Sequence, residues 1–588
     1  MVRALLGRRL HFNTRKRMRS KQLLTALGVI LILAGLALPA GSLGTAASPV
    51  SLHHATDVAT GLWIFKLLLV LHGGLLLAWE RIPRLTEGAA LISPRSLVRG
   101  SEEPGWAAWA AGGLVLLGLG LRLPALADGL WFDEIQTLVE YVRLPLAQIV
   151  TRFDSQNQHL LYSVTARLVA GVGGESAVTL RLPAVAFGVA SLWATWRFGR
   201  TVAGWREALL ATALLAVSYH HVWFSQNARG YTGLLLWTVV ATGCFLRLLA
   251  GVYEDGRRLA LLYGLAMALA VYTHATAALV AVAHAGILAL VALRRWPESR
   301  GGPALASLFA LVLAGSLSLL LYAPVLPQFA ATLTEPSAFH AETEWQNPTW
   351  MALEAMRGLA GGLPGGWVAL GLGAGVLLAG LVSYARQGLA IQGAMVLPGL
   401  VTLAAIILLR HNLWPRFFFF SAAFAVLIVI RGGFSLSRMV SRAHGARLAL
   451  AGTVLVILAS ALTVPRAWGP KQDFAAAMRY VDAERGPDDA VATVDLTTYP
   501  LTRYYARDWT PVEQAAALRQ LEGSHPRTWV LYTFPVRLAA AYPDVWQELA
   551  GYRQMATFPG TVGGGAIVVL ASRPAAPADS ASTPRTAE

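Results

Sequence analysis

The sequence WAAWAAGGLVLLGLGL at residues 106–121 is followed closely by the acidic motif Trp131-Phe132-Asp133-Glu134. An apolar run of this kind, close to the roughly 20 residues that cross a bilayer, predicts a transmembrane helix. The acidic motif is then expected at the boundary between membrane and water. Carboxylates at that boundary are costly to desolvate and usually serve catalysis or transport. Asp133 and Glu134 are therefore candidate functional residues.

The composition extends this interpretation to most of the chain. Of the 588 residues, 55% are hydrophobic and only 14% are charged, and long apolar runs recur between residues 22 and 464. These values predict an all-α polytopic membrane protein. The net charge of +16 could indicate nucleic-acid binding, but the basic residues lie in short loops between apolar runs, which indicates membrane topology instead. Cys244 is the single cysteine, so an intrachain disulfide is excluded.

The apolar runs predict about thirteen spans. They lie near residues 22–41, 61–79, 106–124, 180–198, 207–223, 231–250, 258–273, 275–293, 303–323, 364–384, 391–410, 416–431 and 447–464. Basic residues are dense at 3–21 and absent from the loop at 41–60, which predicts a cytoplasmic amino terminus. An odd number of spans then places the carboxyl-terminal region outside the cytoplasm. The first run could instead be a signal peptide, but its long basic leader and the nearby second span favour a transmembrane helix.

These patterns divide the chain into five predicted regions. They are a basic cytoplasmic leader at 1–21, two transmembrane helices with their loop at 22–105, the main transmembrane region at 106–465, an extracytoplasmic α/β domain at 466–573 and a disordered tail at 574–588. The α/β prediction rests on two kinds of segment. Helical periodicity is present at 473–485 and 535–549, and short β-rich segments lie at 490–494, 528–533 and 566–570. The tail contains too little apolar surface to order itself.

Polar and aromatic motifs are concentrated in the predicted outer loops. The loop at 125–179 is longer than a helix connection requires, which is typical of functional loops. It contains a predicted amphipathic interfacial segment at 146–153 and a polar run at 154–159. The later motifs are Ser225-Gln226-Asn227-Ala228-Arg229-Gly230-Tyr231, Tyr272-Thr273-His274 and Arg410-His411-Asn412-Leu413-Trp414-Pro415-Arg416. Together these loops predict a cavity with a polar rim.

In order and spacing, these motifs resemble those of membrane glycosyltransferases of the GT-C fold. The resemblance is to the dolichyl-phosphate-mannose protein mannosyltransferase branch (glycosyltransferase family 39-like) and its bacterial relatives, and it covers residues 106–465. The matching elements are Asp133-Glu134, His159-Leu160-Leu161-Tyr162, Leu180-Arg181-Leu182-Pro183, residues 225–231, residues 272–274 and, more loosely, Trp414-Pro415-Arg416. Two features depart from the family pattern: proline is missing after His159, and two additional spans precede the usual first one.

The resemblance implies transfer of a sugar from a polyprenyl-phosphate carrier to an extracytoplasmic acceptor, which can be a glycan, a lipid or a protein. Asp133, with Glu134 beside it, suits the base that activates the acceptor hydroxyl. Arg229 and Arg416 suit the leaving phosphate, because a guanidinium stays protonated and can engage two phosphate oxygens. The other residues implied to bind substrate are His159, Tyr162, Gln226, Tyr231, His274 and His411.

The same reading implies a bacterial plasma membrane as the location, with the lipid bilayer and the donor lipid as partners and no nucleic acid. A reaction with one base favours direct displacement with inversion. The lipid-phosphate-linked sugar is a donor substrate rather than a cofactor. Whether a divalent metal takes part is left open by the sequence.

Each assignment also has a structural alternative. Asp133 could cap a helix that begins near Glu134, and Glu134 could bind a cation or pair with an arginine. Arg229 and Arg416 could extend toward lipid headgroups. A metal site would need a different spacing of histidines, so hydrogen-bonded interfacial side chains are favoured for His159, His220, His221 and His274.

Two other classes of function stay open at the level of sequence. A transporter or flippase of lipid-linked sugars would also need many spans, a polar cavity and outward-facing cations. Inverted internal repeats would favour that class, and none is evident. A noncatalytic assembly protein would instead use its carboxyl-terminal domain to bind a partner.

Overall fold

The computed structural model describes residues 22–39, 52–97, 103–155, 157–295, 301–334, 347–361, 366–409 and 414–573. The predicted leader, the predicted disordered tail and His411 lie outside these ranges. The described residues form two compact units. The larger contains most of the chain up to Val464, and the smaller combines Ala127–Glu140 with the residues from Pro465 onward.

The larger unit is built almost entirely of helices. Its longer helices are Gln22–Ala37, Leu52–Leu77, Trp106–Gly120, Leu160–Gly173, Ala177–Val202, Trp205–Ala216, Tyr219–Ser225, Tyr231–Leu249, Gly256–Thr273, Ala277–Arg294, Gly302–Tyr322, Leu326–Thr334, Pro348–Gly361, Gly366–Gln387, Leu389–Leu408, Ala422–Val440 and Gly445–Ala461. Tyr231–Leu249 is the most deeply buried of the long apolar helices, because other helices surround it. Its apolar side chains therefore form the centre of the core.

Among the described residues, 8 helices are long and apolar enough to cross a membrane, and the pair Trp205–Ala216 and Tyr219–Ser225, bent by 61°, raises the number to 9. Shorter apolar helices include Trp106–Gly120 and Leu160–Gly173. The predicted helical membrane class is confirmed. The span predicted at 258–273 forms a helix, Gly256–Thr273, that is not among these candidates, while Leu160–Gly173 is an apolar helix inside the predicted outer loop.

Glycine permits close helix crossings in the larger unit. A methyl group added to Gly380 would lie 1.9 Å from the carbonyl oxygen of Ile428, and one added to Gly432 would lie equally close to that of Val376. The helices Gly366–Gln387 and Ala422–Val440 are therefore in direct backbone contact at these two glycines. Lipid chains are as apolar as leucine, so close packing of small residues is an important source of helix association in a bilayer.

The smaller unit contains a mixed sheet of five strands in the order β2-β1-β3-β5-β4. The strands are β1 (Ala490–Val494), β2 (Thr510–Val512), β3 (Thr528–Tyr532), β4 (Arg553–Phe558) and β5 (Ile567–Ala571). β1 pairs in parallel with β2 and β3, whereas β5 pairs antiparallel with β3 and β4. Helices pack on both faces, which buries every residue of β1 and β3. The helices are Phe474–Glu484, Thr498–Arg503, Ala515–Ser524, Pro535–Ala541 and Pro543–Leu549.

The predicted α/β class of this region is confirmed, with local differences. The helix predicted at 535–549 is two helices, because Tyr542 is non-helical before Pro543, whose ring blocks continuation of the first helix. Strands β2 and β4 were not predicted, since β2 has only 3 residues and β4 is a largely polar edge strand. In the larger unit, the amphipathic segment predicted at 146–153 is helical only at Leu146–Ile149.

Candidate functional site

The guanidinium of Arg229 is buried in the larger unit. Arg229 lies between helices Tyr219–Ser225 and Tyr231–Leu249, and only 2% of its surface is exposed. Its Nη1 donates to the Asn157 carbonyl oxygen over 2.8 Å, and its Nη2 donates to the Asn157 side-chain oxygen. Two hydrogen bonds to one residue fix the orientation of the guanidinium plane. The alternative that Arg229 extends toward lipid headgroups is therefore wrong.

His159 joins the Arg229 loop to the helix Leu160–Gly173. The backbone N–H of Gly230 donates to His159 Nδ1 over 2.9 Å. His159 Nε2 lies 3.2 Å from Arg229 Nη2, within hydrogen-bond distance. A neutral imidazole has one acceptor and one donor nitrogen, so the tautomer of His159 decides which of these two contacts it accepts. His159 thus links the Gly230 backbone to the Arg229 guanidinium.

Gly230 is required for this arrangement. A methyl group at this position would lie 2.7 Å from Thr273 Cγ2 and 2.8 Å from His159 Nδ1. Real Cβ atoms essentially never approach so closely. The absence of a side chain at Gly230 therefore lets residues 225–231, His159 and Thr273 pack together.

His274 and Tyr231 extend the cluster. The His274 ring lies 4.9 Å from that of His159 and 5.9 Å from that of Tyr231, measured between ring centroids. His274 Nδ1 accepts from Thr276, whose backbone N–H and hydroxyl lie 3.3 and 2.8 Å away, so its proton is assigned to Nε2. The Tyr231 hydroxyl is buried and finds no hydrogen-bond partner among the described residues. A buried hydroxyl in that state favours a ligand group as its partner.

Positive charge surrounds the two histidines, which lie outside the predicted spans. Burial lowers the pKa of His159 well below its usual range, and Arg229, His274 and Arg416 lower it further. Burial likewise lowers the pKa of His274 to about 3, with Arg229 and Arg416 acting in the same direction. Burial and the neighbouring arginines thus disfavour the charged form of both imidazoles. This electrostatic environment suits an anion.

Arg416 lies at the start of the segment Pro415–Ser421, which is a 3₁₀ helix. Its guanidinium carbon lies 5.0 Å from the centre of the Trp414 ring, a distance typical of a cation–π contact. The effect of Arg416 on both histidines supports its expected place in the site. His411, the other residue expected from this loop, is outside the described residues.

Tyr162 and Gln226, which the motifs predict to bind substrate, each donate to backbone carbonyl oxygens. The Tyr162 hydroxyl donates to the Leu180 carbonyl oxygen of a neighbouring helix. Gln226 Nε2 donates to the carbonyl oxygen of Arg122 over 3.1 Å, and also to that of Pro124. These bonds connect backbone segments that are distant in sequence.

Arg181 and Arg122 act in the same structural way. Arg181 Nη1 donates to the Leu126 carbonyl oxygen over 3.0 Å. Arg122 is fully buried, with its Nε donating to Ser225 Oγ over 3.0 Å and its Nη1 donating to carbonyl oxygens of the helices on either side. The role of Arg122 was not predicted, because a single arginine after an apolar run resembles an ordinary helix end.

The acidic motif belongs to the smaller unit, in the short helix Phe132–Thr137. Trp131 is the residue that precedes this helix, and Glu134 Oε2 accepts the Trp131 backbone N–H over 3.4 Å. The helix thus begins one residue before Asp133 and not near Glu134, and the carboxylate that accepts the N–H of the residue before the helix is that of Glu134. Both carboxylates are buried, Asp133 with 9% of its surface exposed and Glu134 with none.

The other histidines of the motif at 219–231 are bound within the helical unit. The His221 ring contacts Arg122 Nη2 and lies with Nε2 2.9 Å from Ser191 Oγ. His220 Nε2 lies 3.1 Å from the Gly358 carbonyl oxygen. Within the described ranges, no three His, Cys, Asp or Glu side chains are grouped as a metal site would require.

The comparison with known families agrees with the motif analysis. Residues 158–320 match the model of the family described as dolichyl-phosphate-mannose-protein mannosyltransferase. The inferred resemblance to that family is confirmed over this segment. It contains His159, Arg229, Tyr231 and His274, whereas the acidic motif and Arg416 lie outside it. Together with the long apolar helices, the family match supports an integral membrane protein.

Similar solved structures include ArnT and an archaeal oligosaccharyltransferase. ArnT from Cupriavidus metallidurans bound to undecaprenyl phosphate is 13% identical with a TM-score of 0.45, over 79% of this chain and 98% of that chain. The Archaeoglobus fulgidus oligosaccharyltransferase in complex with Zn and sulfate is 11% identical with a TM-score of 0.48, over 78% of this chain and 72% of that chain. AglB of the same organism, in complex with an inhibitory peptide and a dolichol-phosphate, is 11% identical with a TM-score of 0.43, over 79% and 74%. No curated protein matches the chain.

Proposed function

We propose that this protein is a membrane glycosyltransferase that moves a sugar from a polyprenyl-phosphate carrier to an extracytoplasmic acceptor. The observation that carries the proposal is the buried cationic cluster around Arg229, in which Arg229 Nη2 lies 3.2 Å from His159 Nε2 and the Tyr231 hydroxyl finds no partner among the described residues. A phosphate oxygen can accept from the guanidinium and from that hydroxyl. The family match over residues 158–320 supports the same class of reaction.

The chemistry of the cluster suits a leaving phosphate. When the bond between the anomeric carbon and the phosphate oxygen breaks, negative charge accumulates on the phosphate. Arg229 stabilises that charge with a guanidinium already fixed by Asn157, so little reorganisation is needed during the reaction. The Nε2–H group of His274 adds a neutral donor, and the Tyr231 hydroxyl adds another.

Asp133 is proposed as the base that removes the proton from the acceptor hydroxyl. The oxygen of that hydroxyl then attacks the anomeric carbon, the phosphate leaves on the opposite side, and the configuration inverts. Asp133 is the better candidate of the two, because 9% of its surface is exposed whereas Glu134 is fully buried. We place the reaction on the extracytoplasmic side, as the distribution of basic loops predicts, and in a bacterial plasma membrane, as the resemblance to bacterial relatives implies.

Substitution of Arg229 tests the proposed donor site. Arg229→Lys keeps the charge but removes the planar fork that engages two oxygens, so affinity for a polyprenyl-phosphate sugar should fall by about 10- to 100-fold. Arg229→Ala should lower it further. Arg294→Ala is a matched control, because Arg294 is an exposed arginine at a helix end.

The assay uses purified protein in detergent, with labelled polyprenyl-phosphate sugars and measurement of both donor binding and sugar transfer. Detergent also separates enzyme from transporter, since a transporter needs a sealed membrane to show its activity. Binding by Arg229→Ala that equals the Arg294→Ala control would remove Arg229 from the donor site. Absence of any transfer by the unsubstituted protein, across sugars and acceptors, would contradict the enzymatic proposal.

A further inference from the structure

The segment that carries the acidic motif is integrated into the carboxyl-terminal unit, although more than three hundred residues separate them in sequence. Residues Ala127–Glu140 group with that unit. Gln472 contacts Phe132, the residue directly before Asp133. The side-chain oxygen of Gln472 accepts the Phe132 backbone N–H over 3.2 Å, and the two residues are 340 positions apart in sequence. Gln472 is 2% exposed, and its Nε2 lies 3.3 Å from Thr533 Oγ1, just after strand β3. The sheet therefore fixes the position of this glutamine.

The bond from Phe132 has a specific meaning for the helix Phe132–Thr137. The first N–H groups of any helix have no acceptor within the helix and need one from elsewhere. Glu134 supplies an acceptor for the Trp131 N–H from inside the segment, and Gln472 supplies one for the Phe132 N–H from the carboxyl-terminal unit. Asp133 is the next residue in the chain. The two residues that precede Asp133 are therefore both fixed by hydrogen bonds, one from within the segment and one from the carboxyl-terminal unit.

Three aromatic side chains hold the rest of the segment. The Phe132 ring packs against the sheet core and lies 6.0 Å from the Tyr499 ring, measured between centroids. The Tyr499 hydroxyl donates to the Glu140 carboxylate at the far end of the segment. The Tyr505 hydroxyl donates to the Leu130 carbonyl oxygen over 3.4 Å. The segment is therefore held at its start, at the helix and at its end.

We propose that the carboxyl-terminal unit is part of the catalytic apparatus, with Gln472 and Tyr499 as positioning residues that hold Asp133 in place for the acceptor. This rests on the proposed function, in which Asp133 is the base. A short helix of six residues is marginal by itself, so its geometry depends on the surface to which it is bound. A base displaced by about 1 Å from its productive position can lose about 100-fold in rate.

Activity measurements test the positioning role through the separation of turnover from donor binding. Gln472→Leu removes the acceptor for Phe132, and we expect kcat to fall roughly tenfold while donor Kd stays within about twofold. Gln472→Glu keeps an acceptor oxygen, and the Thr533 hydroxyl can donate to it, so this variant should recover most of the turnover. Gln554→Leu is the control, because Gln554 is an exposed glutamine of the same unit.

Tyr499→Phe provides a second test that leaves the fold intact. It keeps the ring against Phe132 and removes only the hydroxyl that binds Glu140, so we expect a fall in kcat of about threefold to tenfold. Tyr480→Phe is the matched control, because the Tyr480 hydroxyl bonds to Met555 within the same unit. Equal kcat values for the Gln472→Leu, Tyr499→Phe and control variants would overturn the positioning role.

Hydrogen–deuterium exchange of the Trp131–Leu138 amides provides a readout that does not depend on activity. In Gln472→Leu these amides should exchange about five- to tenfold faster than in the unsubstituted protein, while the amides of β1 and β3 stay protected. Unchanged exchange would show that Gln472 does not fix the helix and would refute the inference whatever the activity. If exchange were faster in Gln472→Leu but the unsubstituted protein transferred no sugar, the inferred role of Gln472 in fixing the helix would stand. Only the proposed reaction would then be contradicted.

Discussion

Gly230→Ala is the perturbation that most directly tests the packing of the donor site. Gly230 has φ −79° and ψ 3°, a conformation that alanine adopts readily, so the substitution introduces no backbone strain. It adds a methyl group 2.7 Å from Thr273 Cγ2 and 2.8 Å from His159 Nδ1. Either the Thr273 side chain or the His159 ring must move. Any movement of His159 also alters its position beside Arg229.

The change in the free energy of unfolding of Gly230→Ala is the sum of two opposing effects. Overpacking of a filled interior destabilises a protein by about 1–3 kcal/mol. Replacement of glycine by alanine in an allowed conformation recovers about 0.4–1 kcal/mol through the unfolded chain. We therefore expect a net loss of roughly 0.5–2 kcal/mol in the free energy of unfolding. Loss of one charge-assisted contact to the phosphate should weaken donor binding by about tenfold or more.

Two further variants sharpen the measurement, which is thermal unfolding in detergent together with donor binding. Gly230→Ala combined with Thr273→Ser removes Cγ2, the nearest clashing atom, and should recover part of both losses. Gly286→Ala is the matched control, since a methyl group there meets nothing within 4 Å. If Gly230→Ala resembled Gly286→Ala in melting temperature and donor affinity, the close packing of His159 against the Arg229 loop would be refuted.

Three other predictions concern the base, pH and topology. Asp133→Asn should lower turnover by about 10²- to 10⁴-fold while donor binding stays near normal, measured by single-turnover transfer; full activity would exclude Asp133 as the base. Because the pKa of His274 is lowered from 6.5 to about 3, the unfolded chain takes up a proton in that pH window that the folded protein does not. The free energy of unfolding should therefore be fully retained above about pH 6.5 and fall as the pH falls toward 3, and thermal unfolding of His274→Gln should show a weaker decrease. Reporter fusions at Met1 and Ala490 should lie on opposite sides of the membrane, and reporters on the same side would contradict the odd number of spans.

Hydrophobic patterning predicted the fold class because it encodes burial directly. Runs of apolar residues predicted the long helices, and short β-rich segments predicted β1, β3 and β5, which are the buried strands of the sheet. Strand β4 lies at an edge with half-exposed side chains, so its sequence carries little apolar alternation. The break at Tyr542 is encoded locally by Pro543, whose effect on the preceding residue could have been predicted.

The contacts within the site could not be predicted in the same way. The motifs identified His159, Arg229 and His274, but the orientation of Arg229 depends on Asn157, 72 residues earlier in the chain. The support of the acidic motif depends on Gln472, which resembles an ordinary polar residue at the start of a domain. Pairing across such distances is set by helix packing and sheet topology, which no local pattern encodes.

The residues of the family-like motifs fall into two physical groups, and the distinction bears on function. Tyr162, Arg181 and Gln226 donate to backbone carbonyl oxygens, and contacts of this kind would serve any protein of this fold, including a noncatalytic one. His159 and Arg229 instead contact each other inside a buried cluster, with the charge of Arg416 acting on the same histidine. Like charges brought together in a buried cluster destabilise the fold, and an anion bound among them offsets that cost. The positive charge of Arg229 and Arg416 around two histidines, with the Tyr231 hydroxyl beside them, favours an anionic ligand over an assembly role.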